Sequence, residues 1–582
     1  MYHWLLPKID IPAKFLEEIS SKYPPIIARL LWDREIRNIE QVEKFLTSDY
    51  QQDLYDPFSM KGMNKVVKRI SQAIEQQEKI AIFGDYDVDG ICSALILEIV
   101  LKKLGANLLD SAYFPDRDKE GYGLNPQAIE YLISQGAELI ISVDCGISNL
   151  EESKLIKQKG KELIICDHHD APSNLPDTPY ILDPWQVDDP YPFKDLCAAG
   201  VVFKLSQALI NQARLKKIKI ETGFLRWLLD LVALATVADV VPLKDENRVL
   251  VKYGLIVLNK TKRLGLQELI KSANLEKKNN YLTTFDISYV LAPRINAAGR
   301  MKHASISYNL LKTEDLSQAR KLAEEIEIHN RLRRRTTQKI IEEIESRLSS
   351  EKNISKFTIF EGGENWPIGI LGLVAGHFSQ KYYRPSFIYS QRKDLCKASA
   401  RGIQETHLVK ILEKIKHLLL GYGGHKKAAG FSFQNKNKDK IINQIEKIVS
   451  QQLSGLELKP IIKIDSIISA EEINWNLAEI ITKVSPFGEG NPTPVFLIKN
   501  LKVINQQLVG NGEKHLRVNL FDPDKGYLFK AIGFNLNGLA QKFSLGDYID
   551  LVFELMPGEF NGFRELSLKI IDLRKSQNEK NN

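Results

Sequence analysis

Leu163-Ile164-Ile165-Cys166-Asp167-His168-His169 joins an unbroken apolar run to one carboxylate and two imidazoles. A short run with no polar member reads as a buried strand. Open α/β sheets place their sites beyond the carboxyl ends of such strands. An aspartate and two histidines there form a natural ligand set for a divalent ion such as Mn²⁺. Taken alone, such a triplet is more often a surface Asp-His pair, so its weight depends on its surroundings.

The same pattern occurs twice upstream. Ile80-Ala81-Ile82-Phe83 runs into Gly84-Asp85-Tyr86-Asp87-Val88-Asp89-Gly90, and an apolar helix follows over 92–104. Leu139-Ile140-Ile141-Ser142-Val143 runs into Asp144-Cys145-Gly146, with a short helix over 154–159. Strand, acidic loop and helix, three times over, predict a parallel α/β sheet. A helix over 61–78, marked by Met63, Val66, Val67, Ile70, Ala73 and Ile74, leads into the first strand. A buried helix over 225–237 ends at Ala238-Asp239-Val240-Val241-Pro242.

Asp85, Asp87, Asp89, Asp144, Asp167 and Asp239 each follow an apolar run. They would meet if every strand aimed its last residue at one point. Six such carboxylates without a cation would repel and raise each other's pKa. Two divalent metals remove that conflict. Ions in such sites sit roughly 3.5–4 Å apart, share a bridging carboxylate, make hydroxide near neutral pH and neutralise a phosphoryl group. For 85–90 the alternative is a calcium loop, but the stretch lacks the terminal glutamate of an EF-hand and follows a strand. Asp239 by itself reads as a loop residue after a helix and becomes a ligand only in this company.

A chain of 582 residues exceeds one core, so three or four domains are expected. The apolar fraction of 43% and charged fraction of 26% are ordinary for a folded protein. Lys and Arg number 80 against 73 Asp and Glu, which allows a local basic groove and excludes a polybasic tail. Cys92, Cys145, Cys166, Cys197 and Cys396 form no CxxC pair, so neither a zinc site nor a disulfide framework is suggested. No signal peptide opens the chain, and no run approaches the ~20 apolar residues of a membrane span. A cytoplasmic location without membrane association is expected. The polar tail from Lys575 to Asn582 is expected to be disordered.

The strings GDYDVDG (84–90), SVDCG (142–146), DHH (167–169) and ATVADVVPL (235–243) resemble the four motifs of the DHH phosphoesterases. PRINAAGRM (293–301) and GGHKKAAGFSF (423–433) resemble the RecJ exonuclease branch of that superfamily. Order and spacing match from about residue 55 to about residue 570. The resemblance implies a single-strand-specific 5′→3′ DNA exonuclease of DNA repair and recombination. It implies dependence on two Mn²⁺ or Mg²⁺ ions and release of 5′-mononucleotides. By position it implies Asp85, Asp87, Asp144, His168 and Asp239 as metal ligands, with His169 facing the scissile phosphate. At the position of Asp89, related families need not be acidic. Asp167 is expected to orient His168 from behind. The chain departs from the family in the second α/β unit. Trp366-Pro367-Ile368-Gly369 stands where Trp-His-x-Gly is usual, and Gly376-His377 where a Ser-Arg pair is usual.

Arg294, Asn296 and Arg300 carry phosphate-binding chemistry; the plain alternative is a helix cap with a surface arginine. Ser399 and Arg401, with Gly423-Gly424-His425, are candidates to hold the 5′-terminal phosphate. A simple turn with a surface histidine is the alternative for the latter. The basic stretch 329–335 is either a solvated face or the lining of a groove. After about residue 457, short strand-like runs are separated by Asn511-Gly512, Pro523-Asp524, Pro557-Gly558 and Asn561-Gly562. That spacing suits a small β-barrel of the OB type. It carries Phe521, Tyr527, Phe529, Phe534 and Phe543 among Lys514, Arg517 and Lys530, with one or two rings expected to stack bases and the rest to form core.

The expected architecture is α/β. It comprises an N-terminal helical segment (1–55), a parallel-sheet DHH domain (56–309), a long connecting helix (310–350), a smaller DHH-associated α/β domain (351–452) and an OB-like barrel (455–575). The expected partners are single-stranded DNA, a single-strand-binding protein and a helicase, with the chain a monomer. One rival is a DHH phosphodiesterase for short oligoribonucleotides or cyclic dinucleotides. The barrel and the basic helix weigh against it, since a dinucleotide needs neither. A catalytically silent strand-binding scaffold is the other rival, and the complete Asp and His set weighs against that.

Overall fold

The computed structural model describes residues 2–7, 11–276, 281–350, 356–560 and 563–576. Its catalytic half is built on a four-stranded parallel sheet, Ile80–Gly84, Leu139–Val143, Glu162–Cys166 and Ile181–Leu182, in that spatial order. Every residue of the first two strands is buried, as an apolar run covered on both faces must be. Gly84 pairs with Val143, and Val143 with Cys166. The next residues of the three strands, Asp85, Asp144 and Asp167, therefore leave the sheet side by side. The helices Val88–Lys103 and Leu229–Ala238 are apolar around their whole circumference and pack together in the same core.

Three of the four strands lie where periodicity predicts them. The fourth has two residues, too few to show a period, and it delivers a further acid, Asp183. The helix expected over 225–237 is a 3₁₀ turn, Phe224–Leu228, followed by Leu229–Ala238. Asp239 thus leaves the C-terminus of a helix and not the end of a strand. The long helix expected over 310–350 is two helices, Ser305–Lys312 and Leu316–Ser350. The break is at 313–315, where the Asp315 carboxylate accepts the Gln318 amide at 2.6 Å and starts the second helix afresh.

The long helix leads into a five-stranded sheet ordered Ile359–Glu364, Ser386–Arg392, Leu395–Arg401, Ala428–Gln434 and Leu419–Gly424. The last unit is a barrel of Phe496–Val509, His515–Phe521, Leu528–Gly533, Phe563–Lys575 and Tyr548–Phe560, closed by pairing of the first strand with the last. Turns occupy 511–512 and 523–524 as expected, but Pro557-Gly558 lies inside a strand. Asn561-Gly562 and the tail from 577 lie outside the described residues. Phe529 and Phe543 are buried, whereas Tyr527 and Phe534 are exposed.

The N-terminal residues are not a separate helical segment. His3–Leu5 is a strand paired with Ile461–Lys463. Phe15, Ile27 and Leu31 from the first two helices share one core with Ile498 and Phe553 of the barrel. Among the described residues no helix is long and apolar enough to cross a membrane.

Candidate active site

The turn from Asp85 to Gly90 folds tightly onto its own strand. A Cβ on Gly90 would lie 2.3–2.7 Å from the Asp85 backbone, so only glycine fits. Asp87 then caps the helix Val88–Lys103, accepting the Asp89 and Gly90 amides at 2.9 and 3.3 Å. Asp89 accepts the Ala198 and Ala199 amides at 2.7 and 2.8 Å, so it caps a second helix, Ala198–Leu215. Asn296 Oδ1 accepts the Val88 amide at 3.1 Å, and Gly299 lets the helix Ala292–Met301 approach the Tyr86 carbonyl.

These loops bring the predicted ligands together. Ligand atoms of Asp85, Asp87 and Asp144 lie within 4.8 Å of one another, as do those of Asp89, His168 and Asp239, and those of Asp144, His168 and His169. His168 Nε2 stands 3.3 Å from Asp144 Oδ1, 3.7 Å from Asp239 Oδ2 and 3.8 Å from Asp89 Oδ2. Asp144, which takes a left-handed φ of 61°, belongs to two of the groups.

The electrostatics of this cluster demand a cation. Burial, then the charge of Asp87, pushes Asp85 well above the carboxylate range and Asp89 up to about 7. Burial, then Asp89, does the same to Asp144 and Asp239, both well above that range. Burial and the neighbouring His169 hold His168 down at about 4, so its ring is neutral. Asp85 Oδ1 and His168 Nε2 are buried without a hydrogen-bond partner. A divalent ion fits this donor set. It replaces repulsion by attraction and takes up the two idle lone pairs, and mixed imidazole–carboxylate ligands suit Mn²⁺.

Asp167 corrects one expectation. Its Oδ1 lies 2.7 Å from His169 Nδ1 and accepts the His168 and His169 amides at 2.8 and 3.4 Å, while its Oδ2 accepts the Ile147 amide at 3.0 Å. Burial opposes charge on both partners, but the ion pair overcomes it, holding Asp167 at about 2 and His169 at about 9. Asp167 therefore orients His169, not the ring of His168. An aspartate bonded to the next two amides curls the chain back and returns the second side chain to it.

Opposite the acids is a wall of arginines. Arg300 donates to the Gly369 carbonyl at 2.7 Å. Burial, then Arg117, Arg333 and Arg401, pulls it down to about 9. Burial also lowers Arg401 and Arg333. No salt bridge joins any of these four to a carboxylate among the described residues. Guanidiniums gathered in this way need an anion, and phosphate oxygens match their fork of donors. Ser399 and Arg401 flank Gly372, where a Cβ would lie 3.0 Å from Ser399 Oγ and 2.9 Å from Arg401 Nη2. The exposed His425, beside Gly424, has its ring stacked 6.4 Å from that of His169.

Two candidate phosphate contacts also make bonds inside the fold. Arg294 donates to Glu327 at 2.8 Å and to the Val290 carbonyl at 2.9 Å. Asn296 uses its oxygen for the Val88 amide, as described, and that bond leaves its amide nitrogen, the donor a phosphate would meet, uncommitted. Both residues seat the helix Ala292–Met301. Of the basic stretch, Asn330 is buried and Arg333 turns toward Arg300, while Arg331, Arg334 and Arg335 are exposed. At the departures from the family pattern, Pro367 is the N-cap of Ile368–Tyr382, Gly376 lies beside Arg401, and His377 pairs with Glu345 at 3.5 Å.

Arg117 and Tyr122 escaped the reading of the sequence. Arg117 lies over the Tyr86 ring, 4.7 Å from its centroid, in a stretch whose composition, Asp116-Arg117-Asp118-Lys119-Glu120, signals only a solvated loop. Tyr122 donates to the Asp144 carbonyl at 3.0 Å and presents its ring edge-on to His169. Its one local signal is the flanking pair Gly121 and Gly123, both at positive φ. The same loop reaches across the cleft, where Arg392 and Lys397 donate to Asp118 at 3.2 and 3.4 Å.

Known proteins share this arrangement. The DHH family, N-terminal domain, matches residues 79–236, the DHHA1 domain matches 336–451, and the RecJ OB domain matches 464–572. The single-stranded-DNA-specific exonuclease RecJ of Bacillus subtilis is 35% identical over 558 residues, which cover 95% of this chain and 68% of that protein. The protein of the same name from Haemophilus influenzae is 31% identical over 569 residues, covering 94% of this chain and 95% of that one. The crystal structure of RecJ in complex with Mn²⁺ from Thermus thermophilus superposes with a TM-score of 0.82 at 25% identity, covering 99% of this chain and 80% of that one.

Proposed function

The chain belongs to the RecJ family of single-stranded-DNA-specific exonucleases, and from this we propose that it removes 5′-mononucleotides one at a time from the 5′ end of a single DNA strand. It is a nuclease dependent on Mn²⁺ or Mg²⁺. One observation carries the catalytic reading: Asp85, Asp87 and Asp144 bring ligand atoms within 4.8 Å of one another, and His168 Nε2 stands 3.3 Å from Asp144 Oδ1 and 3.7 Å from Asp239 Oδ2. That is the donor set for two ions sharing a carboxylate. Asp85, Asp87 and Asp144 would hold one, and Asp144, His168 and Asp239 the other. When bound, such ions neutralise phosphoryl charge and lower the pKa of water toward 7.

The side chains of the protein do the rest. Asp167 keeps His169 protonated and turned to the cleft, where the ring donates to a phosphate oxygen at the scissile bond. Arg300, with Arg117 and Arg333 behind it, holds the phosphate backbone. Ser399 and Arg401, with Gly424 and His425 beside them, take the 5′-terminal phosphate. A terminus held there sets the size of the released piece at one nucleotide. The contacts from Asp118 to Arg392 and Lys397 close the cleft over the strand and exclude a duplex. We place the enzyme in the cytoplasm as a monomer in DNA repair and recombination, receiving its strand from a helicase or a single-strand-binding protein.

Digestion of an end-labelled oligodeoxynucleotide with Mn²⁺ tests this reading. Label at the 5′ end is expected to leave first, as a mononucleotide. Earlier loss of a 3′ label would reverse the polarity. Equal rates on a dinucleotide and on a long strand would favour the short-oligonucleotide phosphodiesterase instead.

A further inference from the structure

Three aromatic side chains stand in solvent just before the helix that seats the catalytic loop. Tyr281 is 81% exposed, Phe285 56% and Tyr289 70%. Phe285 and Tyr289 are four residues apart, the interval that puts side chains on one helical face, and Tyr281 lies just before the helix begins at Thr284. The rings of Phe285 and Tyr289 lie 4.7 Å apart, centroid to centroid. The backbone makes a π-helical turn, Ile287–Leu291, which carries Tyr289, and Arg294 follows on the next helix, donating to the Val290 carbonyl at 2.9 Å. Asn296 and Arg300 follow on the same helix, the first accepting the Val88 amide of the catalytic loop and the second donating to the Gly369 carbonyl.

The other end of this stripe touches the barrel region. Thr284 donates its hydroxyl to the Phe487 carbonyl at 2.6 Å. From Thr284 to Asn296 is ~18 Å of helix, so the rings span the gap between the barrel and the metal centre. Beyond them the charge is continuous. Arg294 lies close enough to depress Arg333, Arg333 depresses Arg300, and Arg300 stands beside Arg117 and Arg401. Arg294 is itself paired with Glu327, so the guanidiniums that lead on toward the catalytic acids are Arg333, Arg300, Arg117 and Arg401.

We propose that Tyr281, Phe285 and Tyr289 form a platform on which bases stack on the 3′ side of the scissile phosphate, aligning the strand between barrel and metal centre. The occupant is single-stranded nucleic acid. Every base offers a π-face to a ring whatever its sequence. The rings stand on the segment that leads into the helix bearing Arg300, and polar Thr283 and Ser288 lie among them, unlike the unbroken apolar patch a protein partner would need. The inference rests on the exonuclease reading and extends it to the strand that has not yet been cut.

The test compares the parent with Phe285→Ala/Tyr289→Ala and with Tyr289→Phe, reading KM and kcat in Mn²⁺ on thymidine oligonucleotides of increasing length. In the parent, KM is expected to fall as the strand grows long enough to reach the rings. The double variant should lose on the order of ten-fold or more of that gain, as expected for stacking on aromatic rings. Tyr289→Phe should keep the gain, because the ring remains. A strand made abasic beyond its first few nucleotides should show the same weak KM with parent and double variant. Full length dependence in the double variant, or an equal loss on the abasic strand, overturns the platform. So does a change in oligomeric mass with strand affinity unaltered, which would assign the face to a second copy of the chain. If the parent itself digests no single strand, it is the exonuclease reading that fails.

Discussion

Two clusters of charge are buried in the catalytic half of the molecule, and they are satisfied in opposite ways. Behind the sheet, Lys204 Nζ lies 2.7 Å from Glu246 and also donates to the Tyr55 carbonyl, while Tyr191 donates to the other oxygen of Glu246. Two residues beyond Glu246 on the same helix, Arg248 donates to the carbonyls of Phe45, Val484, Lys483 and Ser485 at 2.7–3.1 Å. It ties the N-terminal helices, the parallel-sheet core and the helix Trp475–Val484 together. Here every buried charge has a partner within the chain. At the strand ends, by contrast, carboxylates crowd one another around a neutral imidazole, and two polar atoms have no partner. Buried charge is tolerated when it is paired and hydrogen-bonded. The first cluster meets that condition and is structural. The second meets it only with cations bound, and for that reason it is the site.

Substitutions can break this contrast, and the largest effect falls on the unpaired side. Asp144→Ala should slow strand digestion at least ~10³-fold, about 4 kcal/mol of barrier. With a chelator present it should melt no lower than the parent, because one repelling carboxylate is gone. A lower melting point in chelator would make Asp144 a structural residue of the Lys204 kind. Lys204→Met should do the reverse. Stability should fall by about 3–5 kcal/mol in urea unfolding, because Glu246 is left buried and unpaired, while the rate per folded molecule stays at the parental level.

Metal should then act as the missing partner. Mn²⁺ at a hundred times its Kd should add ~2.7 kcal/mol to the parent, read as a higher Tm than in chelator, and less to Asp144→Ala. The smallest effect is on pH dependence. Burial and Asp87 raise Asp89 to about 7, and burial and Asp167 raise Asp183 to about 7. A carboxyl raised in the fold favours the folded state while protonated. That contribution is present below about pH 4 and is lost as pH climbs through about 7. The metal-free protein should lose stability over that window, and saturating Mn²⁺ should flatten the slope. A Tm in chelator that rises with pH would contradict the unpaired-charge account.

The two clusters were not equally legible. Asp85, Asp144 and Asp167 could be located because a strand buried on both faces must be continuously apolar, so the acid that ends it stands out. Asp239 was placed among the ligands by its motif, although it follows a helix and not a strand. Lys204, Glu246 and Arg248 carry no comparable signal, since a charged residue inside a helix looks the same whether it faces water or a core. Arg294 shows the opposite case: its side chain suits phosphate, yet inside the fold it also pairs with Glu327, a partner no local pattern announces.

Local pattern alone settled three strands of the parallel sheet, the helices that flank them and which acids end those strands, because apolar periodicity and helix capping act over a few residues. The family motifs added which of those acids act together. Other features arose only when distant segments folded against each other. These are the two groups that share Asp144, the reach of Arg117 and Asp118 across the cleft, and the use of the N-terminal helices to complete the barrel's core. They are set by distances between residues tens to hundreds of positions apart, and neither propensity nor periodicity carries that information.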